Sequence, residues 1–177
     1  MALREKPLAF IDVETTGLTP ELHEVIEVAV ILQRQDGTID EWSTKVRPTR
    51  LEVAEPKALE VNGYAAHPEK WADAPTFDQI ADDLARRLGG AILVGHNVDF
   101  DFAFLREAFR RCGSTFQMPH RKLDTYTLAY EHLAPKGLDS LSLHAVCAFL
   151  EISNEDSHTA LVDARRCREV WNWLVLP

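Results

Sequence analysis

The sequence has little of what marks a disulfide-bonded, zinc-binding or membrane-spanning protein. Among 177 residues there are three cysteines, widely spaced at Cys112, Cys147 and Cys167. This odd number and spacing match neither a zinc site nor a disulfide framework, so we predict buried or half-buried free thiols. No apolar run reaches the roughly 18 residues that span a membrane, and no apolar signal segment follows the charged N-terminus. We therefore expect a cytoplasmic protein that does not enter a membrane.

Basic residues are also scarce. Nineteen lysines and arginines stand against 28 acidic residues, which gives a net charge of −9. Proteins that bind nucleic acid without sequence preference usually present a basic face, so weak affinity for phosphate is expected here. Bound divalent cations would offset part of the acidic charge, and a site that grips a few terminal nucleotides needs only a local attractive field. Nucleic acid is therefore not excluded as a ligand.

The remaining composition is typical of a globular protein with a real core. Hydrophobic residues make up 46% of the sequence and charged residues 27%, as in ordinary folded domains. The sequence contains no repeat, low-complexity tract or linker that would divide it. We therefore predict that residues 1–177 form a single domain.

Apolar runs bounded by turn residues predict five strands, and helical spacing of apolar residues predicts the helices. The predicted strands are residues 8–13, 25–33, 39–46, 91–94 and 122–124. The predicted helices are residues 77–88, 100–109, 125–133, 141–150 and 159–174, with a short helix at 56–61. An Asp-Gly turn at residues 36–37 pairs the second and third strands as a hairpin. An antiparallel start followed by alternating strands and helices predicts an α/β fold, with one mixed sheet covered by helices.

Two carboxylates lie at the end of the first predicted strand. Side chains alternate along a strand, so Asp12 and Glu14 point to the same face. Carboxylates in an apolar strand need a partner, a proton or a metal. The alternative is that the strand ends at Asp12 and both acids are solvated turn residues. The Thr-Thr-Gly at residues 15–17 favours a ligand site, because it offers hydroxyls and a close approach to the backbone.

A second polar cluster, at residues 95–101, follows a buried strand and opens a helix. Ligands usually bind at such strand ends in mixed sheets. The alternative is helix capping by Asn97 or Asp99. We assign the capping role to Asp99, which leaves Asp101 available for chemistry.

The third cluster contains His158 and Asp163. On one continuous helix these side chains would diverge by about 140°, since each residue turns about 100°. Both can reach one point if His158 lies in the loop before the helix and Asp163 in its early turns, with residues 155–157 as cap candidates. The alternative is a surface histidine beside an ordinary helical aspartate.

In combination, these clusters resemble the three motifs of the DEDD-type 3′–5′ exonucleases of the histidine subclass. Asp12 and Glu14 match the first motif, and Asp101 takes the acid position of the second. His158 and Asp163 match the third motif at the subclass's five-residue spacing. The motifs also occur in the order found in that family.

Two shorter segments also resemble this family. Residues 122–125 match a segment in which an aspartate, here Asp124, follows a short strand and supports the fold. Residues 61–63 match a segment before the first helix, where proofreading members often have histidine in place of Asn62. The family's proteins act on the 3′ ends of DNA or RNA and include the proofreading subunit of bacterial replicative DNA polymerase, RNase T and oligoribonuclease.

The resemblance implies an RNase H-like fold and two divalent cations, Mg²⁺ or Mn²⁺, for which oxygen ligands are suited. It implies that Asp12 bridges the two cations and that Glu14 and Asp163 hold the one that activates water. Asp101 would serve the second cation. His158 would take the proton of the attacking water as general base, which its near-neutral pKa permits. The products would be nucleoside 5′-monophosphates.

The resemblance also implies contacts to the terminal nucleotide, including one from Thr15 to the 3′-hydroxyl. The implied substrate-binding residues are Thr15, Thr16, Leu18, Asn62, Asn97 and Phe100. Leu18 and Phe100 would pack on bases without preference for one base, and plain core packing is the alternative for both. The candidate track for the strand, which could equally be a solvated helix face, consists of Arg106, Arg110, Arg111, Arg121 and Lys122.

Two other functions stay open at this point. One is an enzyme restricted to very short oligonucleotides. The other is an inactive domain of the same fold that binds nucleic acid or a DNA polymerase, although such a relative is expected to have lost one of the five matched residues. The sequence does not distinguish DNA from RNA, or a separate nuclease from a polymerase's proofreading subunit.

Overall fold

A five-stranded mixed sheet forms the centre of the computed structural model, which describes residues 2–154 and 159–175. The strands are β1 (Leu8–Thr15), β2 (Val25–Gln33), β3 (Ile39–Lys45), β4 (Ile92–Gly95) and β5 (Lys122–Asp124). Their order in the sheet is β3-β2-β1-β4-β5. β1, β2 and β3 are antiparallel neighbours, whereas β4 and β5 continue the sheet in parallel with β1. The predicted mixed sheet with three antiparallel strands first is confirmed.

Helices cover both faces of the sheet. They are α1 (Pro56–Val61), α2 (Phe77–Leu88), α3 (Val98–Arg111), α4 (Thr125–Leu133), α5 (Leu143–Phe149) and α6 (Ala160–Val175). Short 3₁₀ turns at Leu3–Glu5, Leu51–Val53, Pro68–Trp71 and Ala134–Lys136 were not predicted. The six predicted helices are confirmed, with shifts of up to two residues at their ends.

The alternation of side chains along β1 distributes it between two cores. Ile11 and Val13 are buried with α2 and α3 on one face of the sheet. Phe10 is buried on the other face, against Ala160 and Ala164 of α6. Since positions two apart share a face of a strand, Asp12 and Glu14 lie on the face that α6 covers.

β1 is two residues longer than predicted and includes both of its carboxylates. The alternative in which the strand ends at Asp12 is therefore wrong. The pairing with β2 shifts its register between Glu14 and Thr15, so that Thr15 lies opposite Val25. Such bulges bend a strand and redirect its side chains, and here the chain leaves the sheet just after the two acids.

The prediction that Asp99 caps a helix is wrong. α3 begins at Val98, and its cap position is Asn97, in the left-handed region with φ 66° and without a side-chain cap bond. Asp99 lies in the first turn and pairs with Lys122. The backbone N–H of Asn97 is bound instead by the Asp124 carboxylate, at 2.9 Å, which also accepts the Tyr126 N–H. Asp124 therefore joins the starts of α3 and α4, the fold-supporting role predicted for it.

The three cysteines are free, as predicted, with Cys147 and Cys167 buried and Cys112 half-buried. Burial raises the pKa of the Cys147 thiol to about 11, which leaves it protonated and unreactive near neutral pH. Within residues 2–154 and 159–175, no helix combines the length and apolar character needed to cross a bilayer.

Candidate active site

Three carboxylates converge on the face of β1 that α6 covers. Asp12 and Glu14 come from the strand, and Asp163 comes from the first turn of α6. One oxygen from each side chain lies within 4.8 Å of the other two, and these residues could hold a metal ion together. The prediction that Asp163 sits in the early turns of its helix is confirmed.

Asp101 approaches the same point from α3. Its side chain is buried, and its Oδ1 accepts the backbone N–H of Val13 at 2.9 Å. This bond fixes the start of α3 against β1, beside Asp12. Asp101 is not one of the three carboxylates within 4.8 Å of each other, yet its charge acts on Asp12 more strongly than that of Glu14. We refer to Asp12, Glu14, Asp101 and Asp163 as the acidic cluster.

Burial and mutual repulsion raise the pKa values of Asp12, Glu14 and Asp101 in the acidic cluster. Burial is the main reason that the pKa of Asp12 lies well above its usual range, followed by the charges of Asp101 and Glu14. Burial, with repulsion from Asp163, raises the pKa of Glu14 to about 8, and burial raises that of Asp101 to about 8. Without added positive charge, these carboxyls hold protons near neutral pH, and a divalent cation can displace those protons. Such shifts are typical of functional sites.

A further acid and its lysine partner border the cluster. Glu27 of β2 lies directly opposite Glu14, and Lys45 of β3 lies opposite Glu27. The Lys45 Nζ is 2.6 Å from the Glu27 carboxylate and 4.0 Å from the centre of the Trp71 ring. Glu27 raises and Lys45 lowers the pKa of Glu14. This pair was not predicted from the sequence. Glu27 is an acid in an otherwise apolar strand, which is a visible signal, but its neighbours follow only from the strand register.

The loop after β1 uses its two threonine hydroxyls internally. Thr15 and Thr16 are buried; the Thr15 hydroxyl donates to the Gly17 carbonyl at 2.7 Å, and the Thr16 hydroxyl accepts the Glu24 N–H at 2.9 Å. Leu18, in contrast, is 71% exposed. Core packing is therefore wrong for Leu18, which the loop presents to solvent.

Gly17 packs against a side chain of the protein itself, and the predicted approach of a ligand to its backbone stays a prediction. A Cβ at this position would lie 2.5 Å from the ring of His23, so the close approach is to a side chain of the protein itself. The buried His23 also accepts the Thr19 N–H at its Nδ1, at 2.9 Å. Arg111 donates to the carbonyls of Pro20 and His23, both at 2.9 Å. Gly17, His23 and Arg111 thus fix the loop that carries Leu18.

The other predicted nucleotide contacts have different surroundings. Asn62 is buried; its amide donates to the Thr15 carbonyl at 3.0 Å and its Oδ1 accepts the Tyr64 N–H. Phe100 is half-buried and packs on Phe104 at a ring distance of 4.8 Å, so it contributes to the core. Asn97 is exposed.

The basic side chains proposed as a track are mostly engaged with protein groups. Arg110 and Arg111 both pair with Glu107, and Lys122 pairs with Asp99. Arg106 lies over the Phe102 ring at 5.7 Å. These contacts favour the alternative interpretation, in which the basic residues form a solvated helix face. Most of their charges are balanced by acids or aromatic rings of the protein.

His158, the predicted general base, lies outside the described residues, as do the predicted cap residues 155–157. Next to this segment, the Asp163 N–H donates to the Thr159 carbonyl at 3.1 Å, which extends the helical pattern back toward Thr159. The position of Asp163 is therefore described, and the position of His158 stays a prediction.

Comparison with known families yields one match that covers almost the whole chain. The sequence model of the RNase T exonuclease family matches residues 9–171. This range contains all five residues of the three sequence motifs.

Curated relatives agree with this family. The chain is 32% identical to the 3′–5′ exonuclease DinG of Staphylococcus epidermidis, over 68% of this chain and 13% of that protein. It is 28% identical to the DNA polymerase III subunit epsilon of Treponema pallidum, over 93% of this chain and 74% of that protein. It is 31% identical to the PolC-type DNA polymerase III of Thermotoga maritima, over 91% of this chain and 11% of that protein. The chain thus spans a small part of DinG and PolC and most of the epsilon subunit.

Solved structures share the fold. A zinc-bound complex of E. coli exonuclease I with single-stranded DNA superposes with a TM-score of 0.79 at 18% identity, over 96% of this chain and 41% of that chain. A product-bound exonuclease I superposes with a TM-score of 0.76 at 17% identity, over 96% of this chain and 44% of that one. At these identities the likeness establishes the exonuclease fold, with its RNase H-like sheet.

Proposed function

Since this chain belongs to the RNase T family of exonucleases, we propose that its acidic cluster is the catalytic centre of a single exonuclease domain. The chain is a 3′–5′ exonuclease of the DEDD group and thus a hydrolytic nuclease. The observation that carries the proposed site is the convergence of Asp12, Glu14 and Asp163 within 4.8 Å. The raised pKa values of Asp12 and Glu14 are typical of carboxylates in a functional site.

The donor atoms of the cluster fit Mg²⁺ or Mn²⁺. The three converging ligands are carboxylate oxygens, which these hard cations prefer, whereas zinc more often takes thiolate or imidazole ligands. Asp12, Glu14 and Asp163 would hold one cation, with Asp12 and Asp101 serving a second. Two bound divalent cations stabilise the attacking and leaving oxygens of an in-line displacement at phosphorus.

The chain's own residues supply the proton transfer and the fit to the strand end. His158 takes a proton from the attacking water, whose oxygen bonds to phosphorus as the bond from phosphorus to the 3′ oxygen breaks, and that 3′ oxygen is protonated from solvent. A nucleoside 5′-monophosphate and a strand shorter by one nucleotide leave. Thr15 contacts the terminal 3′-hydroxyl, and exposed Leu18 packs on a base, which favours no particular sequence.

The substrate is the 3′ end of a single-stranded or frayed nucleic acid. Support comes from the relatives: DinG is named as a 3′–5′ exonuclease, and exonuclease I was solved with single-stranded DNA. A DNA polymerase is a candidate partner, because the Treponema relative is named as a subunit of DNA polymerase III.

The test uses 5′-labelled single-stranded DNA and RNA of the same sequence. The purified protein is incubated with each strand in Mg²⁺ or Mn²⁺, with EDTA and the Asp12→Ala variant as controls. Asp99→Ala is the matched variant, since Asp99 is an exposed acid on α3 that pairs with Lys122. We expect a ladder that shortens from the 3′ end, is lost with EDTA or Asp12→Ala, and persists with Asp99→Ala.

Other outcomes separate the remaining functions. Cleavage confined to oligonucleotides of a few residues identifies an enzyme for very short substrates. Binding of a labelled strand without cleavage, in both metals and at high protein concentration, contradicts the catalytic proposal and favours a binding domain of the same fold. The faster of the DNA and RNA ladders identifies the preferred sugar.

A further inference from the structure

A buried arginine lies against the acidic cluster. Arg166 is 5% exposed and follows Asp163 by three residues on α6. Its Nη1 donates to the Asp163 Oδ1 at 2.9 Å. Burying a guanidinium lowers stability unless the group is paired and hydrogen-bonded. Here the partner, Asp163, is also a candidate cation ligand, so Arg166 can influence cation binding through it.

The same guanidinium holds the chain that precedes α6. Its Nε donates to the Ser153 carbonyl at 3.0 Å. The planar guanidinium of Arg166 therefore connects Asp163, in the first turn of α6, to the backbone of Ser153, ten residues earlier. Two bonds in different directions from one rigid fork are possible for arginine, whereas the single ammonium of lysine cannot reproduce their geometry.

This arrangement determines how the Asp163 carboxylate can turn. A carboxylate has two oxygens, and a hydrogen bond to one of them leaves the other for a cation. With Oδ1 held by Arg166, the carboxylate is fixed in the orientation that brings it within 4.8 Å of Asp12 and Glu14. Loss of a group that orients a metal ligand in this way typically lowers metal affinity by about 10- to 100-fold.

The neighbouring arginine on α6 provides a contrast. Arg165 is exposed and pairs with Glu41 on β3, where its Nε is 3.0 Å from the carboxylate. That contact lies on the surface, between α6 and the edge strand of the sheet. Arg165 therefore has the same charge and helix as Arg166 but makes its ion pair away from the acidic cluster.

We propose that Arg166 is a positioning residue, which fixes the Asp163 carboxylate for a divalent cation. This inference rests on the proposed cation site. Arg166 has two opposite effects on cation affinity. Its positive charge repels a cation, whereas its hydrogen bond removes the entropic cost of orienting the Asp163 carboxylate. We expect the orienting effect to be the larger, because losing a group that orients a metal ligand typically weakens metal binding by about 10- to 100-fold.

The test is direct Mn²⁺ binding, followed by the electron paramagnetic resonance signal of free Mn²⁺. Wild type, Arg166→Met and the matched control Arg165→Met are titrated at one pH. Arg166→Met should bind Mn²⁺ about tenfold more weakly, the lower end for loss of a residue that orients a ligand. Arg165→Met should bind within about twofold of wild type, since its ion pair is exposed.

Two further variants keep the test decisive if Arg166→Met folds poorly. Arg166→Lys retains the charge and should still weaken Mn²⁺ binding, because lysine cannot hold both acceptors. In an Asp163→Asn background, Arg166→Met should cause no additional loss, because the effect acts through Asp163. Thermal unfolding of each metal-free variant identifies the folded ones.

Unchanged or tighter Mn²⁺ binding by Arg166→Met overturns the inference, as does full affinity in Arg166→Lys. An equal loss in the Asp163→Asn background also overturns it, since Arg166 would then act by another route. A wild-type protein that binds no Mn²⁺ refutes the proposed cation site and this inference together. Normal wild-type binding with an unaffected Arg166→Met refutes only the role of Arg166.

Discussion

Helix α3 carries two buried or half-buried acids with opposite surroundings. Asp101, in its first turn, lies in the acidic cluster, where burial raises its pKa to about 8. Glu107, less than two turns later, accepts hydrogen bonds from Arg110 and Arg111 at 2.7 to 2.9 Å. These arginines lower the pKa of Glu107 to about 2. The same kind of group is thus perturbed in opposite directions on one helix.

The difference separates structural acids from functional ones. Glu107 has its counter-charges within the protein, and one of them, Arg111, also fixes the loop at Pro20 and His23. Among residues 2–154 and 159–175, the acidic cluster has one guanidinium contact, from Arg166 to Asp163, and the ammonium of Lys45 is paired with Glu27. Four carboxylates share too little internal positive charge, which leaves a site for cations from solution.

The largest expected effect is on turnover. Asp12→Asn should lower the rate of 3′-end removal by on the order of 10³-fold or more, because a lost cation ligand costs several kcal/mol of transition-state stabilisation. Glu107→Gln should lower it by less than about tenfold, since Arg111 keeps its backbone acceptors. Single-turnover rates on a 5′-labelled strand measure both. Equal losses in the two variants would remove the distinction between the acids.

The next effect concerns the general base. His158→Ala should reduce turnover by about 10²-fold or more, the range for loss of acid–base catalysis, without weakening Mn²⁺ binding. His120→Ala, at an exposed position, is the control. If His158→Ala instead binds Mn²⁺ weakly and turns over normally at saturating metal, His158 supports the cation site and does not act as a base.

The stability of the metal-free protein should depend on pH. The folded-state pKa values of Asp12, Glu14 and Asp101 lie above those of the unfolded chain. The stability from these protonated carboxyls is complete below about pH 4, the unfolded value, and is lost as the pH rises through about 8. From pH 5 to 8 in EDTA, the free energy of unfolding should fall by more than about 1.4 kcal/mol, the equivalent of one pKa unit.

Urea unfolding in EDTA and in saturating Mg²⁺ measures this dependence. Mg²⁺ should flatten the decline, since it binds the ionised carboxylates and not the protonated ones. Glu107→Gln should leave the decline unchanged, because the low pKa of Glu107 keeps it ionised throughout this range. Metal-free stability that rises between pH 5 and 8 contradicts the assignment of raised pKa values.

The smallest expected effect is on stability: neutralising Glu14 and neutralising Glu107 should change the free energy of unfolding in opposite directions. At pH 8 without metal, Glu14→Gln should stabilise the fold by about 1 kcal/mol, because it removes a buried charge that lacks a full partner. Glu107→Gln should destabilise it by about 0.5 kcal/mol, the scale of exposed ion pairs. Thermal unfolding under the same conditions compares them, and shifts of the same sign would show that both acids have similar surroundings.

The fold could be predicted well because its signals are local. The alternation in β1 placed Asp12 and Glu14 on one face, and the apolar spacing of residues 77–88 gave the bounds of α2 without error. The ends of helices were predicted less accurately: α3 starts two residues before the predicted residue 100. The N–H of Asn97, just before this start, is bound by Asp124, 27 residues away, and Asn97 makes no side-chain cap bond, so no local capping pattern revealed the start.

The surroundings of the site could not be predicted, because they depend on strand register and helix packing. Glu27 lies beside Glu14 only through the pairing of β1 with β2. The bond from Val13 to Asp101 joins residues 88 positions apart. Gly17 faces His23 because the loop folds back on itself. The motifs therefore identified which acids converge, while the structure supplied the groups that surround them.

Proton release on metal binding tests the account of the acidic cluster most directly. Mn²⁺ is titrated calorimetrically into the metal-free protein at pH 7, in two buffers with different ionisation enthalpies. Because the carboxyls of Glu14 and Asp101 have pKa values of about 8, we predict that binding releases about one proton or more per protein. We also predict that Asp12→Asn abolishes this binding and Glu107→Gln preserves it. Absence of binding, or binding without proton release, would contradict a cluster of carboxylates poised for cations.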